Sequence, residues 1–266
     1  MLLTVPFKNS AISVSDEGKG NVVVLLHGYL ESLDIWDGFY ERLTSRYRVV
    51  RIDIPGHGRS GVVAKIHTMD LMAEAVETVL QYLEIEKCVL VGHSMGGYVT
   101  LACLARFSKR LAGICLFHSS PFADTEEKRA SRTKEIKLVE GGKLILICNT
   151  NIPNGFATDH LEKMADKLEF AKEVARRSTP EGVIAILEGM RSRPDRQELL
   201  KKNRLPVLFI LGKKDNYISF DKLAPIAASF PHSTVSVLEE SGHSGYFEEP
   251  EKSAGFILSF LDECYQ

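Results

Sequence analysis

Short, unbroken runs of apolar residues recur along the chain, and most of them end at glycine, proline or a polar turn. Six such runs occupy residues 22–26, 47–54, 87–91, 111–117, 206–211 and 233–238. The apolar residues are continuous rather than alternating with polar ones, so these runs predict strands that are covered on both faces. Strands of this kind are typical of a parallel sheet flanked by helices.

Helical periodicity fills several of the intervals between these runs. Residues 70–83 place Leu71, Ala75, Val79 and Tyr82 on one face, residues 95–107 are apolar nearly all round, and residues 251–261 repeat the same spacing. Alternating strands and helices predict an α/β, doubly wound architecture. Residues 2–7 and 11–15 predict an antiparallel hairpin at one edge of the sheet.

One long segment, residues 121–203, interrupts the alternation between the fourth and fifth runs. It is mostly helical in pattern and highly charged, with helices predicted over 125–140, over 159–177 and from Pro180 onward. We therefore predict a core of residues 1–120 and 204–266 with an inserted helical cap, or lid, over the carboxyl ends of the strands. The charged residues of 125–140 are interpreted as a solvent-exposed face.

Composition mainly excludes classes of protein. The chain has 266 residues, and 33 Lys and Arg against 35 Asp and Glu give a net charge of −2. This balance provides no basic field for nucleic acid or an anionic membrane. We therefore expect a small-molecule substrate, no nucleic-acid partner and no membrane partner, and leave the oligomeric state open.

The cysteines and the N-terminal residues bear on the compartment. The five cysteines are odd in number, widely spaced and without a C-x-x-C motif. The first residues have no basic segment and no cleavage site of a signal peptide. We expect reduced, buried thiols and a cytoplasmic location. No metal-binding motif is present, so no metal or cofactor is expected.

The candidate nucleophile is Ser94, within Gly92-His93-Ser94-Met95-Gly96. This G-x-S-x-G pattern directly follows a predicted strand and directly precedes a predicted helix. In that context the sharp turn raises the serine hydroxyl above the sheet. Glycine is expected on both sides because a Cβ atom there would collide with the neighbouring strand and helix.

A serine hydroxyl needs a base and an oriented acid before it becomes a good nucleophile. His243 follows the last predicted strand, and Asp215 follows the fifth. Both positions lie at the carboxyl edge of the sheet, as Ser94 does, in the order serine, acid, histidine. The backbone N–H groups of Met95 and Tyr29 are the candidate oxyanion-hole donors.

Taken together, these motifs resemble those of the α/β-hydrolase fold superfamily over residues 22–117 and 205–261. The residues that carry the resemblance are His27-Gly28-Tyr29, Asp53 to Ser60, Gly92 to Gly97, Gly212 to Asp215, Gly242-His243 and Glu249-Pro250. The resemblance implies the same nucleophile, acid, base and oxyanion hole. A serine at the nucleophile position argues against haloalkane dehalogenases and epoxide hydrolases, which use a carboxylate there.

Some relatives carry the acid after the preceding strand. Here that segment reads His118-Ser119-Ser120-Pro121, with no carboxylate before Asp124, so Asp215 is preferred. For His118 we leave open a pocket wall and a polar substrate contact.

The favoured hypothesis is a serine hydrolase that cleaves a small or medium carboxylic ester through a Ser94 acyl-enzyme. The candidate substrate-binding residues are Leu30, Trp36, His118, Tyr246 and Phe247. Alternatives with the same triad are hydrolysis of a carbon–carbon bond in a dienoate-type diketone, hydrolysis of a lactone or thioester, and an elimination like that of a menaquinone-pathway synthase. A small-molecule receptor of the same fold is the alternative that is not an enzyme.

Overall fold

The computed structural model describes all 266 residues, and eight strands form one sheet. The strands are β1 (Leu2–Phe7), β2 (Ser10–Glu17), β3 (Val22–Leu26), β4 (Arg48–Ile52), β5 (Cys88–His93), β6 (Leu111–Phe117), β7 (Val207–Gly212) and β8 (Ser233–Leu238). All six apolar runs are strands, with ends within two residues of the prediction. The α/β fold class is therefore confirmed.

The sheet is mostly parallel, with the order β1-β2-β4-β3-β5-β6-β7-β8. The pairs β1–β2 and β2–β4 are antiparallel, so the predicted edge hairpin is present, and every other pair is parallel. From β3 the chain moves to β4 on one side and then crosses to β5 on the other. This reversal places a crevice at the carboxyl ends of β3 and β5, where ligands bind in open α/β sheets.

Eleven α-helices cover the sheet and its carboxyl edge. They are α1 (Glu41–Thr44), α2 (Met69–Tyr82), α3 (Met95–Phe107), α4 (Glu126–Glu140), α5 (Leu144–Asn154), α6 (Ala165–Arg176), α7 (Pro180–Arg191), α8 (Gln197–Lys202), α9 (Phe220–Ser229), α10 (Gly245–Glu248) and α11 (Pro250–Cys264). None of them combines the length and apolar character that crossing a membrane requires.

Two hydrophobic cores lie on opposite faces of the sheet. Along β3, Val24 and Leu26 belong to one core and Val23 and Leu25 to the other, as the period of two in a strand requires. Helices α2 and α3 pack into the first core, and α11 packs into the second. Burial on both faces explains why the strand sequences are continuously apolar.

Helices α4 to α8 lie between β6 and β7, within the segment predicted as a lid. The Thr125 hydroxyl caps α4 by accepting the Lys128 N–H at 3.2 Å, and Thr179 caps α7 in the same way. The sequence interpretation missed α5 and α9, which contain Pro153 and Pro225. Proline lacks an N–H donor and disfavours a helix interior, so these two helices run against the local propensity.

Candidate active site

Ser94 stands at the turn between β5 and α3 in a conformation that L-residues rarely adopt, with φ of 49° and ψ of −113°. The surrounding backbone holds this turn. Its N–H donates to the Phe117 carbonyl at 2.9 Å, and its carbonyl accepts the Gly97 N–H at 3.0 Å. A strained, well-supported backbone of this kind is typical of functional sites.

The glycines beside Ser94 permit the close approach of β3, β5 and α3. A Cβ atom on Gly92 would collide with the Gly96 backbone carbonyl, and one on Gly96 would collide with the carbonyls of Leu26 and His27. These collisions are the steric reason for which the sequence analysis expected glycine on both sides of Ser94. It keeps the first turn of α3 directly over the end of β3.

His243 and Asp215 form a buried hydrogen-bonded pair. His243 Nδ1 lies 2.8 Å from Asp215 Oδ2, and the carboxylate side chain is 2% exposed. The other carboxylate oxygen accepts the N–H groups of Tyr217 at 2.8 Å and Ile218 at 3.0 Å. One oxygen therefore fixes the loop after β7, and the other orients the imidazole.

The charge on Asp215 follows from its neighbours. Burial alone would raise the pKa of this carboxyl, but the imidazoles of His243 and His118 hold the pKa below its ordinary value. Asp215 is therefore ionised at neutral pH and can stabilise a positive charge that develops on His243.

The backbone of His243 is fixed from two sides. Its N–H donates to the Gly155 carbonyl at 2.8 Å, and its carbonyl lies 2.9 Å from His93 Nε2. The Glu248 carboxylate strengthens this link to the lid by accepting the N–H groups of Gly242 at 2.8 Å and Ala157 at 2.7 Å. The lid segment after α5 is thus attached to the histidine loop.

Ser94 and His243 border a common cavity of about 370 Å³. This volume lies in the range of small-molecule sites. Tyr29, Leu30 and Tyr246 line the cavity from the core. Apolar residues of the lid and its neighbouring loops complete much of the wall, among them Ile152, Phe156, Met190 and Ile218.

The lid also contributes a polar wall, which corrects the interpretation of 125–140 as only a solvated face. Lys128, Ser131, Arg132 and Glu135 line the cavity from one face of α4. Their spacing of three and four residues suits one helix face. An exposed face gives the same sequence pattern, so periodicity does not separate a cavity wall from a solvated surface.

Glu135 joins this wall to the core. Its Oε1 accepts hydrogen bonds from the Tyr29 hydroxyl at 2.9 Å and from Asn151 Nδ2 at 2.8 Å. Arg132 pairs with Asp124, which also binds Arg193. Lys128 is exposed at the cavity and makes no ion pair. The sequence interpretation did not predict that Lys128, Arg132 or Glu135 would line the cavity.

Two aromatic residues expected in the pocket lie in the core instead. Trp36 is fully buried, with its ring centroid 5.2 Å from that of Tyr246. Phe247 stacks on Phe156 at 6.1 Å between ring centroids. Neither Trp36 nor Phe247 borders the cavity, because Tyr246 and Phe156 stand in front of them. Trp36 and Phe247 are therefore core residues and not part of the cavity wall.

His118 also lies outside the cavity. Both expectations for this residue, a pocket wall and a polar substrate contact, therefore disagree with its position. The residue is fully buried, and its Nδ1 is 3.4 Å from Asp215 Oδ2 and 3.2 Å from the Gly212 backbone nitrogen. Burial lowers the pKa of His118 to about 4, so the ring is neutral at physiological pH. The His118 ring therefore packs against the Asp215 carboxylate and does not line the cavity.

The proposed oxyanion donors occupy suitable backbone positions. Met95 is the first residue of α3, and the N–H groups of a helix's first turn have no partner within the helix. Tyr29 lies in the loop after β3 and borders the cavity together with Ser94. The assignment of these two N–H groups remains a prediction.

Two groups of side chains have metal-ligand character. His118, Asp215 and His243 each offer one ligand atom within 4.8 Å of the others, and the carboxylate–imidazole contacts described above already use these atoms. In the second group, the Lys214 ammonium lies 2.8 Å from Asp159 and 2.6 Å from Glu240. We propose no metal at either place.

Comparison with known proteins supports the same architecture. The sequence profile of the α/β-hydrolase fold matches residues 21–132. The chain is 28% identical to the dihydrolipoyllysine-residue acetyltransferase component of the acetoin cleaving system of Pseudomonas putida, over 91% of its own length and 64% of that protein. The chain thus spans about two thirds of this longer relative.

Two further relatives match almost end to end. The pimeloyl-[acyl-carrier protein] methyl ester esterase of Aeromonas hydrophila is 26% identical, over 94% of this chain and 99% of that protein. The solved structure of a thermophilic esterase from Thermogutta terrifontis, with malate bound, superposes with a TM-score of 0.95 at 27% identity and covers 100% of both chains. This sheet topology and these matches show that the chain has the α/β-hydrolase fold.

Proposed function

We propose that this protein is a serine hydrolase that cleaves a small or medium carboxylic ester through an acyl-enzyme on Ser94. The observation that carries the proposal is one cavity bordered by a strained serine and by a histidine whose Nδ1 is bound to a buried carboxylate. The similarity to two esterases supports ester hydrolysis within a superfamily that performs several reactions.

In the first step, the Ser94 hydroxyl oxygen attacks the ester carbonyl carbon, and His243 Nε2 takes the hydroxyl proton. Asp215 stabilises the resulting imidazolium through Nδ1. The Met95 and Tyr29 N–H groups stabilise the oxyanion. Collapse of the tetrahedral intermediate breaks the bond to the alcohol oxygen, which leaves with the proton from His243.

In the second step, His243 accepts a proton from water as the water oxygen attacks the acyl carbon. The ester bond to Ser94 then breaks, and His243 returns its proton to the serine oxygen. The products are a carboxylic acid and an alcohol. The reaction needs no redox equivalent, and the chain supplies every acid and base that it uses.

The cavity also bears on the size of the substrate. Its volume of about 370 Å³ suits a small or medium molecule, and residues of the 121–203 segment line part of its wall. Hydrolysis of a carbon–carbon bond, a lactone or a thioester, and an elimination, remain alternatives because the same triad serves each of them.

We also propose that the protein acts in the cytoplasm. All five cysteines are free, and four of them are buried in the core or the lid. Buried reduced thiols are typical of proteins from reducing compartments.

The proposed function is tested with p-nitrophenyl esters of increasing acyl length. We expect continuous turnover with a maximum at short to medium chains. A burst of about one product per protein followed by no further release would instead support a receptor. Turnover of a dienoate-type diketone without ester cleavage would support the carbon–carbon alternative.

A further inference from the structure

Glu31 is a buried carboxylate beside the proposed oxyanion loop, and the mechanism above does not use it. Its Oε2 accepts the Gly28 N–H at 2.5 Å and lies 3.0 Å from His93 Nδ1. Its other oxygen accepts the Tyr246 hydroxyl at 3.0 Å. The Gly28 N–H and the Tyr246 hydroxyl thus provide one donor to each carboxylate oxygen, which favours the ionised form of Glu31.

His93 immediately precedes Ser94 and has an acceptor at each ring nitrogen. Nδ1 faces the Glu31 carboxylate, and Nε2 lies 2.9 Å from the His243 carbonyl oxygen. A neutral imidazole carries one N–H and donates only once, whereas an imidazolium donates twice. The hydrogen-bond geometry therefore favours a protonated His93 that is 1% exposed.

Charge and close packing agree with this assignment. Burial alone would raise the pKa of Glu31 and lower that of His93, but their mutual attraction and hydrogen bond reverse both shifts. Gly28 leaves the space that the pair needs, because a Cβ there would lie 2.9 Å from both Glu31 Oε2 and His93 Nδ1.

The pair connects three segments that are distant in sequence. Glu31 and Gly28 belong to the loop of the proposed oxyanion donor Tyr29, His93 belongs to the nucleophile turn, and Tyr246 and the His243 carbonyl belong to the histidine loop. These are the segments whose relative positions determine the approach of base, nucleophile and oxyanion donor.

We propose that Glu31 and His93 are positioning residues, a buried carboxylate–imidazolium pair that holds the oxyanion loop, the nucleophile turn and the histidine loop in one arrangement. The inference rests on the proposed function for its kinetic consequence. Small displacements of such loops reduce the rate of the chemical step more than the binding of substrate.

Other titratable groups surround the pair and contribute to its field. His27 lies beside Glu31, the His93 ring is 6.1 Å from His118 and 5.0 Å from His243 between centroids, and Asp215 acts on His93 through its charge. A pH profile alone would therefore combine several titrations. The test instead reads the protonation of His93 directly.

The first measurement is NMR of the wild-type protein with ¹⁵N-labelled histidine rings at pH 7.5. We expect both ring nitrogens of His93 to carry protons, and His93→Gln identifies the signal. In Glu31→Gln we expect the second proton to be lost. A singly protonated His93 in the wild-type protein would overturn the inference, and the deciding spectrum is that of the wild-type protein.

The second measurement is steady-state ester hydrolysis. We expect Glu31→Gln to lower kcat by about 10-fold with KM within about twofold, and Glu31→Gln/His93→Gln to be no slower than the slower single variant, because the two residues act as one unit. Glu17→Gln, which removes a half-buried carboxylate from β2, is the matched control. Unchanged kcat in Glu31→Gln, or additive losses, would overturn the inference.

Failures of the two proposals are distinguishable. If the wild-type protein neither hydrolyses esters nor reacts with a fluorophosphonate, the proposed function fails, and the NMR measurement still decides the ion pair. If the wild-type protein is active and Glu31→Gln is equally active, only the inference fails.

Discussion

The His118 imidazole lies 3.4 Å from the same Asp215 oxygen that binds His243. Sequence patterns suggested a pocket wall or a substrate contact at this position, yet the ring is fully buried behind the acid. A neutral histidine held in the interior makes stability depend on pH, because the unfolded chain binds a proton that the folded chain excludes.

We predict that the free energy of unfolding falls as the pH decreases from about 6.5 towards 4, partly through His118. Burial lowers its pKa to about 4 in the folded protein, whereas the unfolded value is 6.5. The contribution of neutral, buried His118 to the free energy of unfolding is fully present above the unfolded pKa of 6.5. It is lost as the pH falls from there towards the folded pKa of about 4. His118→Asn should reduce the loss by roughly 3 kcal/mol, at 1.36 kcal/mol per pKa unit.

Urea denaturation at a series of pH values measures this difference. His232→Asn is the matched control, because His232 is exposed and also has a positive φ, which asparagine tolerates. If the His118→Asn curve runs parallel to that of the wild-type protein, His118 is not a buried neutral group.

A second prediction concerns the close approach at the nucleophile turn. Gly96→Ala should lower the free energy of unfolding by about 2 kcal/mol or more and abolish activity, because the added Cβ meets the Leu26 and His27 carbonyls. Gly255→Ala on α11 meets nothing within 4 Å and should be neutral or stabilise by up to about 1 kcal/mol. Thermal unfolding of both variants provides the measurement, and equal stability would contradict the packing described.

A third prediction separates the two parts of Tyr29. Tyr29→Phe keeps the backbone N–H proposed for the oxyanion hole and removes only the hydroxyl that donates to Glu135. We expect kcat/KM to fall by no more than about fivefold, the value of about 1 kcal/mol for one hydrogen bond. A loss of 100-fold or more (roughly 3 kcal/mol) would assign a chemical role to the phenol.

A fourth prediction uses the polar wall of α4. Lys128 has no ion-pair partner and borders the cavity. Lys128→Glu should therefore lower kcat/KM by about fivefold for monoesters that carry a remote carboxylate, and should have little effect on kcat/KM for neutral esters. Lys134→Glu places the same charge on α4 away from the cavity lining and serves as the control. Equal effects on charged and neutral esters would exclude a direct electrostatic contact.

Much of the core was predictable from the sequence because burial on both faces leaves an unambiguous pattern. The continuous runs of β3, β6 and β8 match their strands at both ends. The strand–turn–helix context of Ser94 also follows from local sequence, because glycines at close approaches and a helix directly after a strand are local signals.

The cavity walls were less predictable because they depend on contacts between distant segments. Trp36, Phe247 and His118 lie near the site in sequence terms, but other side chains stand between them and the cavity. The α4 wall has the pattern of a solvated helix face. Glu31 lies in the loop after β3, and nothing in the local sequence indicates that its partner is His93, which is 62 residues away.

The most direct test of the proposed chemistry is covalent labelling of Ser94. A fluorophosphonate should modify this residue alone, as mapped by peptide mass spectrometry, and Ser94→Ala should neither label nor hydrolyse p-nitrophenyl butyrate above about one thousandth of the wild-type rate. Labelling at another residue, or sustained turnover by Ser94→Ala, would contradict the assignment of Ser94 as the nucleophile.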